Sequence, residues 1–196
     1  MTTDISEKGL ETLIMRHMTG VDGFDVAANT LAEPAAAYCA GPGYLAGSPK
    51  HYDRAHALDV VQLFAFLQTT QPEAFKKLGL EDYSDPKDIK RLKFLARLSS
   101  EVGKRGVIDV LRKGIEHGPV HFDLFFGAPS PGNETAATLY ARNRFSITRQ
   151  LAYSSDATRR ALDLCLFING LPIVTFELKN SLTKQTVEDA VEQYRR

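Results

Sequence analysis

The sequence predicts an α/β domain in which a helical first part precedes a strand-rich last part. Three observations predict it. Apolar residues recur at helical spacing from Leu10 to Met18, and again in stretches between about residues 52 and 118. From about Val120 the spacing changes to the period of two expected of strands. Finally, the run 161–180, ALDLCLFINGLPIVTFELKN, reads as a hairpin apolar on both faces, which calls for helices packed over a sheet.

Taken in order, Ser6 reads as an N-cap, with Ile5 and Leu10 as a hydrophobic staple, for a first helix whose apolar stripe is Leu10, Leu13, Ile14, His17 and Met18. Glu11 stands about a quarter turn from the centre of that stripe, a position from which it can reach a metal at a sheet edge, with Glu7 as its rival. Residues 21–50 mix alanines with GPGYLAGSP and predict a short helix at most, then a loop. A buried helix is expected between Tyr52 and Gln68, and a short one after Gln71-Pro72. Asp85-Pro86 predicts the cap and first residue of a helix that buries Ile89, Leu92, Leu95, Ala96 and Leu98 and breaks at Gly103. Its cations Lys87, Lys90, Arg91, Lys93 and Arg97 read as a solvated face. Another helix through Val107, Val110, Leu111 and Ile115 ends near Gly118.

Strands are expected from Val120, where Asp123 alternates with aromatic residues and competes for any metal. Asn133 is a cap for the segment ETAATLYARN, and a strand follows from Arg144 to Tyr153. After the hairpin, Thr186 and Asp189 have the spacing of a capping box for a last helix that carries Gln193 on its flank.

The chain is 196 residues long, with 43% hydrophobic and 24% charged residues, enough for one well-packed domain. No apolar run approaches membrane-spanning length and no signal-peptide pattern follows Met1, so a cytoplasmic protein without a membrane partner is predicted. Cys39 and Cys165 lack ligand spacing, and Cys165 reads as a small buried hydrophobe. The balance of 24 basic and 24 acidic residues argues against a stand-alone DNA-binding domain. Arg142, Arg144, Arg149, Arg159 and Arg160 nevertheless cluster in sequence near the hairpin, where they either neutralise phosphates or form a solvated strand edge.

Chemistry is concentrated in the hairpin. Asp163, Glu177 and Lys179 are polar residues that a buried sheet has no packing reason to keep, since unpaired charge there costs several kcal/mol. Two carboxylates beside an ammonium suit a hard divalent ion next to a phosphate. Register decides whether they meet. A two-residue turn at Asn169-Gly170 with no irregularity sets Asp163 opposite Phe176, on the wrong face. A three-residue loop of Ile168, Asn169 and Gly170 pairs Phe167 with Leu171 and Asp163 with Thr175, and another one-residue bulge serves equally. The three-residue loop is the expectation, with Leu162, Leu164, Leu166, Val174, Phe176 and Leu178 on the opposite face.

The stretch NRFSITRQLAYSSDATRRALDLCLFINGLPIVTFELKN resembles the N-terminal nuclease domain of the restriction (motor) subunit of type I restriction-modification enzymes. SEKGLETLIMRHM and FLQTTQPEAFKKL extend the resemblance across the chain. It implies a PD-(D/E)XK fold, a restriction-endonuclease-like mixed central sheet flanked by helices. The chain then reads as a single nuclease domain over residues 1–196, with a helical elaboration at about 52–118 and a catalytic core at about 119–196. It further implies Asp163, Glu177, Lys179 and Gln193 as catalytic residues, with Asp163, Glu177 and Glu11 holding Mg²⁺. Leu162 stands where the motif's name has proline, and proline supplies no ligand. The implied activity is that of a type I site-specific deoxyribonuclease acting on double-stranded DNA, together with modification and specificity subunits. No G-x-x-x-x-G-K-[ST] occurs, so ATP is expected to be used only elsewhere in a longer subunit. A junction-resolving or repair nuclease on the same fold is the alternative, as is a non-catalytic docking module.

Overall fold

The computed structural model describes residues 7–23, 43–80, 84–154, 160–179 and 191. Its centre is a four-stranded mixed sheet in the order β1-β6-β7-β8, made of Leu45–Ala46, Phe145–Ala152, Ala161–Ile168 and Leu171–Phe176. The short edge strand β1 runs parallel to β6, whereas β6, β7 and β8 are antiparallel. Helix α1, Glu7–Thr19, packs its Met15 against Ile147 of β6 and Leu164 of β7, with Leu166, Phe176 and Leu178 around them. Helices therefore flank the sheet, as an α/β arrangement requires.

Between β1 and β6 lies the helical layer. A 3-10 turn, Pro49–His51, leads into a two-stranded ribbon of β2, Tyr52–Asp53, and β3, Leu58–Asp59. Asp59 then caps α2, Val60–Thr70, its Oδ1 accepting from the Gln62 N–H at 3.1 Å. Helices α3, Pro72–Lys77, α4, Ile89–Arg105, and α5, Val107–Lys113, follow. A second ribbon pairs β4, Ile115–His117, with β5, Val120–Phe122, and α6, Glu134–Ala141, precedes the central strands. The main core joins these elements through Phe64, Phe75, Phe94 and Phe122, with ring centroids 6.0 Å apart for Phe64–Phe75 and 5.1 Å for Phe94–Phe122. Each such ring removes a large apolar area from water and adds an edge-to-face contact.

Several sequence expectations are corrected. In α1, Glu11 and Met15 form the buried line, while Leu10, Leu13 and His17 are exposed, because the helix turns its acidic residue toward Arg149. The helix foreseen from Tyr52 begins only at Val60, since Asp59 supplies the cap after the β2–β3 ribbon. Asp85 accepts from the Lys87 N–H in a turn, and Asp88 is the N-cap of α4, its Oδ1 2.7 Å from the Arg91 N. Helix α4 then continues through Gly103 to Gly106, whose φ of 81° ends it. Its buried line is Arg91, Phe94, Leu95, Leu98 and Glu101, leaving Ile89, Leu92 and Ala96 exposed. Arg91 leaves the solvated face entirely. It donates to the Pro86 carbonyl and lies 6.0 Å over the Phe64 ring. Ile115 begins a strand, because Gly114 at φ 64° stops α5. The Asn133 cap is found as expected, with Oδ1 accepting from the Ala136 N–H at 3.0 Å. The Ser6 cap, the segment around Cys39 and the last helix with its capping box lie outside the described residues.

Candidate active site

The β7–β8 hairpin positions the candidate residues, and its turn is of two residues. Ile168 pairs with Leu171, so Asn169 and Gly170, at φ 50° and 82°, form the tight turn in which both central residues are left-handed. The three-residue loop is therefore corrected. The offset it was meant to provide comes from a β-bulge instead: Phe167 pairs with Pro172 but Leu166 with Val174, leaving Ile173 as the extra residue. Beyond it, Cys165 faces Thr175 and Leu164 faces Phe176, where the paired register ends; its continuation would set Asp163 opposite Glu177.

A buried asparagine explains why the turn is tight. Asn169 is fully enclosed; its Oδ1 accepts from the Arg144 N–H at 2.6 Å, and its Nδ2 donates to the Leu124 carbonyl at 2.8 Å and to Asn143 Oδ1 at 3.0 Å. Gly170 in turn accepts from the Asp59 N–H at 2.9 Å. No loosened loop keeps all of these bonds.

At Asp163 both ladders open. On the β8 side the paired region ends at Leu164–Phe176; on the β6 side the register has a gap at Gln150, which would face Asp163. Gln150 has a φ of 49°, and its amide turns to donate to Glu11 Oε1 at 2.8 Å. The distortion shows in the packing, for Leu162 and Leu164, only two residues apart, join different apolar clusters. Leu162 is thus not on one face with Leu164 and Leu166, and Val174 is exposed, contrary to the expected apolar row.

Asp163 is half-buried, and its Oδ2 accepts from the Leu178 N–H at 2.6 Å. This bond places the carboxylate at the peptide between Glu177 and Leu178. Glu177 and Lys179 are half-buried and lie just past the end of β8, so the expected E-x-K strand is corrected to a segment leaving the strand mouth. Glu11 is almost wholly buried, with Arg149 Nη2 at 2.8 Å from its Oε2 and Gln150 on its other oxygen. Gln193 lies outside the described residues. Among the described residues, no three His, Cys, Asp or Glu side chains gather as a ready ligand set.

Other candidates fall away from the hairpin. Asp123 is exposed and 3.5 Å from His121 Nε2, and is no neighbour of Asp163 in the sheet. Arg144 and Arg149 are buried, Arg144 Nε donating to Gln62 Oε1 at 2.6 Å, so these two bind protein groups where phosphate contacts were open from sequence. Cys165 is buried as expected, and burial pushes its thiol up to about 12. Sequence reasoning missed Gln150 and the Glu11–Arg149 pair. A signal existed for the pair: arginine on the buried parity of β6 demands a buried acid.

The four-stranded mixed sheet with its flanking helices is consistent with an α/β nuclease-like fold. A family model described as the N terminus of the type I restriction enzyme R protein matches residues 80–196, and the chain belongs to that family. No curated protein and no solved structure matches the chain. No helix among the described residues is long and apolar enough to cross a membrane.

Proposed function

We propose that the chain is a magnesium-dependent endonuclease domain that hydrolyses phosphodiester bonds in double-stranded DNA. It acts after ATP-driven translocation by other parts of the restriction enzyme, with modification and specificity subunits choosing the site. The observation that carries this reading is the Leu178 N–H to Asp163 Oδ2 hydrogen bond, which ties Asp163 to the Glu177–Lys179 segment across the hairpin.

The donor set suits a hard ion. Asp163 and Glu177 offer carboxylate oxygens, and the bond from Leu178 holds one Asp163 oxygen while the other is left for a ligand. When bound, magnesium would lower the pKa of a water and draw charge from the phosphate. Asp163 and Glu177 hold that ion, and Lys179 offsets negative charge developing on the phosphate oxygens. Glu11 is the third acidic group in this reading. Arg149 holds one oxygen of its carboxylate and the Gln150 amide the other. Gln193 is the fourth catalytic residue in this reading.

Calorimetric titration with Mn²⁺ tests the proposal directly. Binding to the wild-type protein that disappears in Asp163→Ala is the expected result. Equal heats from both proteins would remove the metal site from the hairpin.

A further inference from the structure

Helices α3 and α4 bring a group of cations together that the sequence keeps apart. Lys76, Lys77, Lys90 and Lys93, with His117 of β4, line one cleft of about 410 Å³. All four lysines are exposed, and none makes an ion pair among the described residues. Several other cations of α4 and α5 are matched. Arg97 and Lys104 reach Glu101 at 3.1 and 3.9 Å, and Lys113 reaches Asp109 at 2.6 Å.

Local helix chemistry explains only half of the group. Lys76 and Lys77 sit in the last turn of α3, where the helix dipole favours cations. Lys90 lies in the first turn of α4, which has no acidic residue and where the dipole opposes positive charge. Helix stability gives no reason for it, whereas an anionic partner spanning both helices does.

We infer that this cleft is a second contact for duplex DNA, gripping phosphates without reading sequence. The choice of DNA rests on the proposed nuclease function. Amines on flexible stems act as point charges suited to sequence-independent phosphate contacts. Among the described residues the cleft's lining has no ring except half-buried His117, which stacks edge-on against Phe94, so these residues supply no platform for single-stranded bases. It is built on the helical layer, apart from the mouth of β8. On a chain of zero formal charge, such a patch localises the attraction that overall composition does not supply.

The test is fluorescence anisotropy with a labelled random-sequence duplex, in EDTA to prevent cleavage, across a potassium chloride series. Lys76→Glu/Lys93→Glu is expected to weaken binding about tenfold or more at low salt and to lower the salt slope by about two. Lys104→Glu/Lys113→Glu, with the same change in charge, should stay within about threefold, and Lys76→Arg/Lys93→Arg should bind as the wild type. Equal losses in both reversed pairs, or unchanged affinity and slope in the first, would overturn the proposal. So would binding of the cleft to phosphatidylserine vesicles in place of duplex. Glu177→Ala separates the two readings: in EDTA it should bind duplex as the wild type does, and cleavage lost in a separate assay with Mg²⁺ while that binding is intact concerns the hairpin alone.

Discussion

Arg149 Nη2 lies 2.8 Å from Glu11 Oε2, with side chains only 5% and 2% exposed, so one ion pair joins α1 to the centre of the sheet. Removing one partner strands the other charge away from water. Glu11→Leu is therefore expected to destabilise the protein by roughly 3–5 kcal/mol, and Glu11→Leu/Arg149→Met to regain much of that loss. Urea unfolding of the single and double variants measures it. A small loss in Glu11→Leu would mean that Met15 and its neighbours hold α1 without the pair.

Gly170 is predicted to tolerate no side chain. Its φ of 82° disfavours other residues, and an added Cβ would collide with the Asp59 carbonyl oxygen and lie 2.7 Å from Leu63 Cβ. Gly170→Val should cost well over the ~1 kcal/mol of the backbone conformation alone. Because α2 must shift to make room, cleavage should fall along with stability. Thermal unfolding unchanged from the wild type would contradict the tight two-residue turn.

Asp59 gives a pH dependence with a defined sign. Burial pushes its carboxyl from 3.8 up to about 6, partly offset by the Gln62 N–H, His51 and Arg144. Below about pH 3 the group is protonated folded and unfolded, and its contribution is fully present. As pH rises toward 6, the unfolded chain ionises first and stability is lost. Asp59→Asn keeps an acceptor for Gln62 but cannot ionise. Its stability relative to wild type should rise by roughly 2 kcal/mol between pH 4 and pH 7. A constant difference across that range would show that Asp59 ionises normally.

In the complete restriction enzyme, Glu177→Ala or Lys179→Ala should reduce DNA cleavage on the order of a hundredfold or more. ATP hydrolysis should persist, because neither residue is proposed to act in it. A parallel fall in ATPase activity would point to misfolding or to a role in coupling.

Sequence alone determined those features whose causes lie within a few residues. The Asn133 cap and the strands β6 and β7 follow from local bonding and strand-forming composition. Tertiary structure decided which residues those signals would meet. The bulge at Ile173, rather than a longer loop, supplies the offset, because Asn169 must satisfy Arg144, Leu124 and Asn143 at once. Glu11 turned inward at the expense of Leu10 and Leu13 because Arg149, far along the chain, needed a buried counter-charge. Arg91 and Arg144 left the surface for Phe64 and Gln62. Such choices depend on long-range partners, and a desolvated charge that finds its partner outweighs the weak preferences readable from helical or strand spacing.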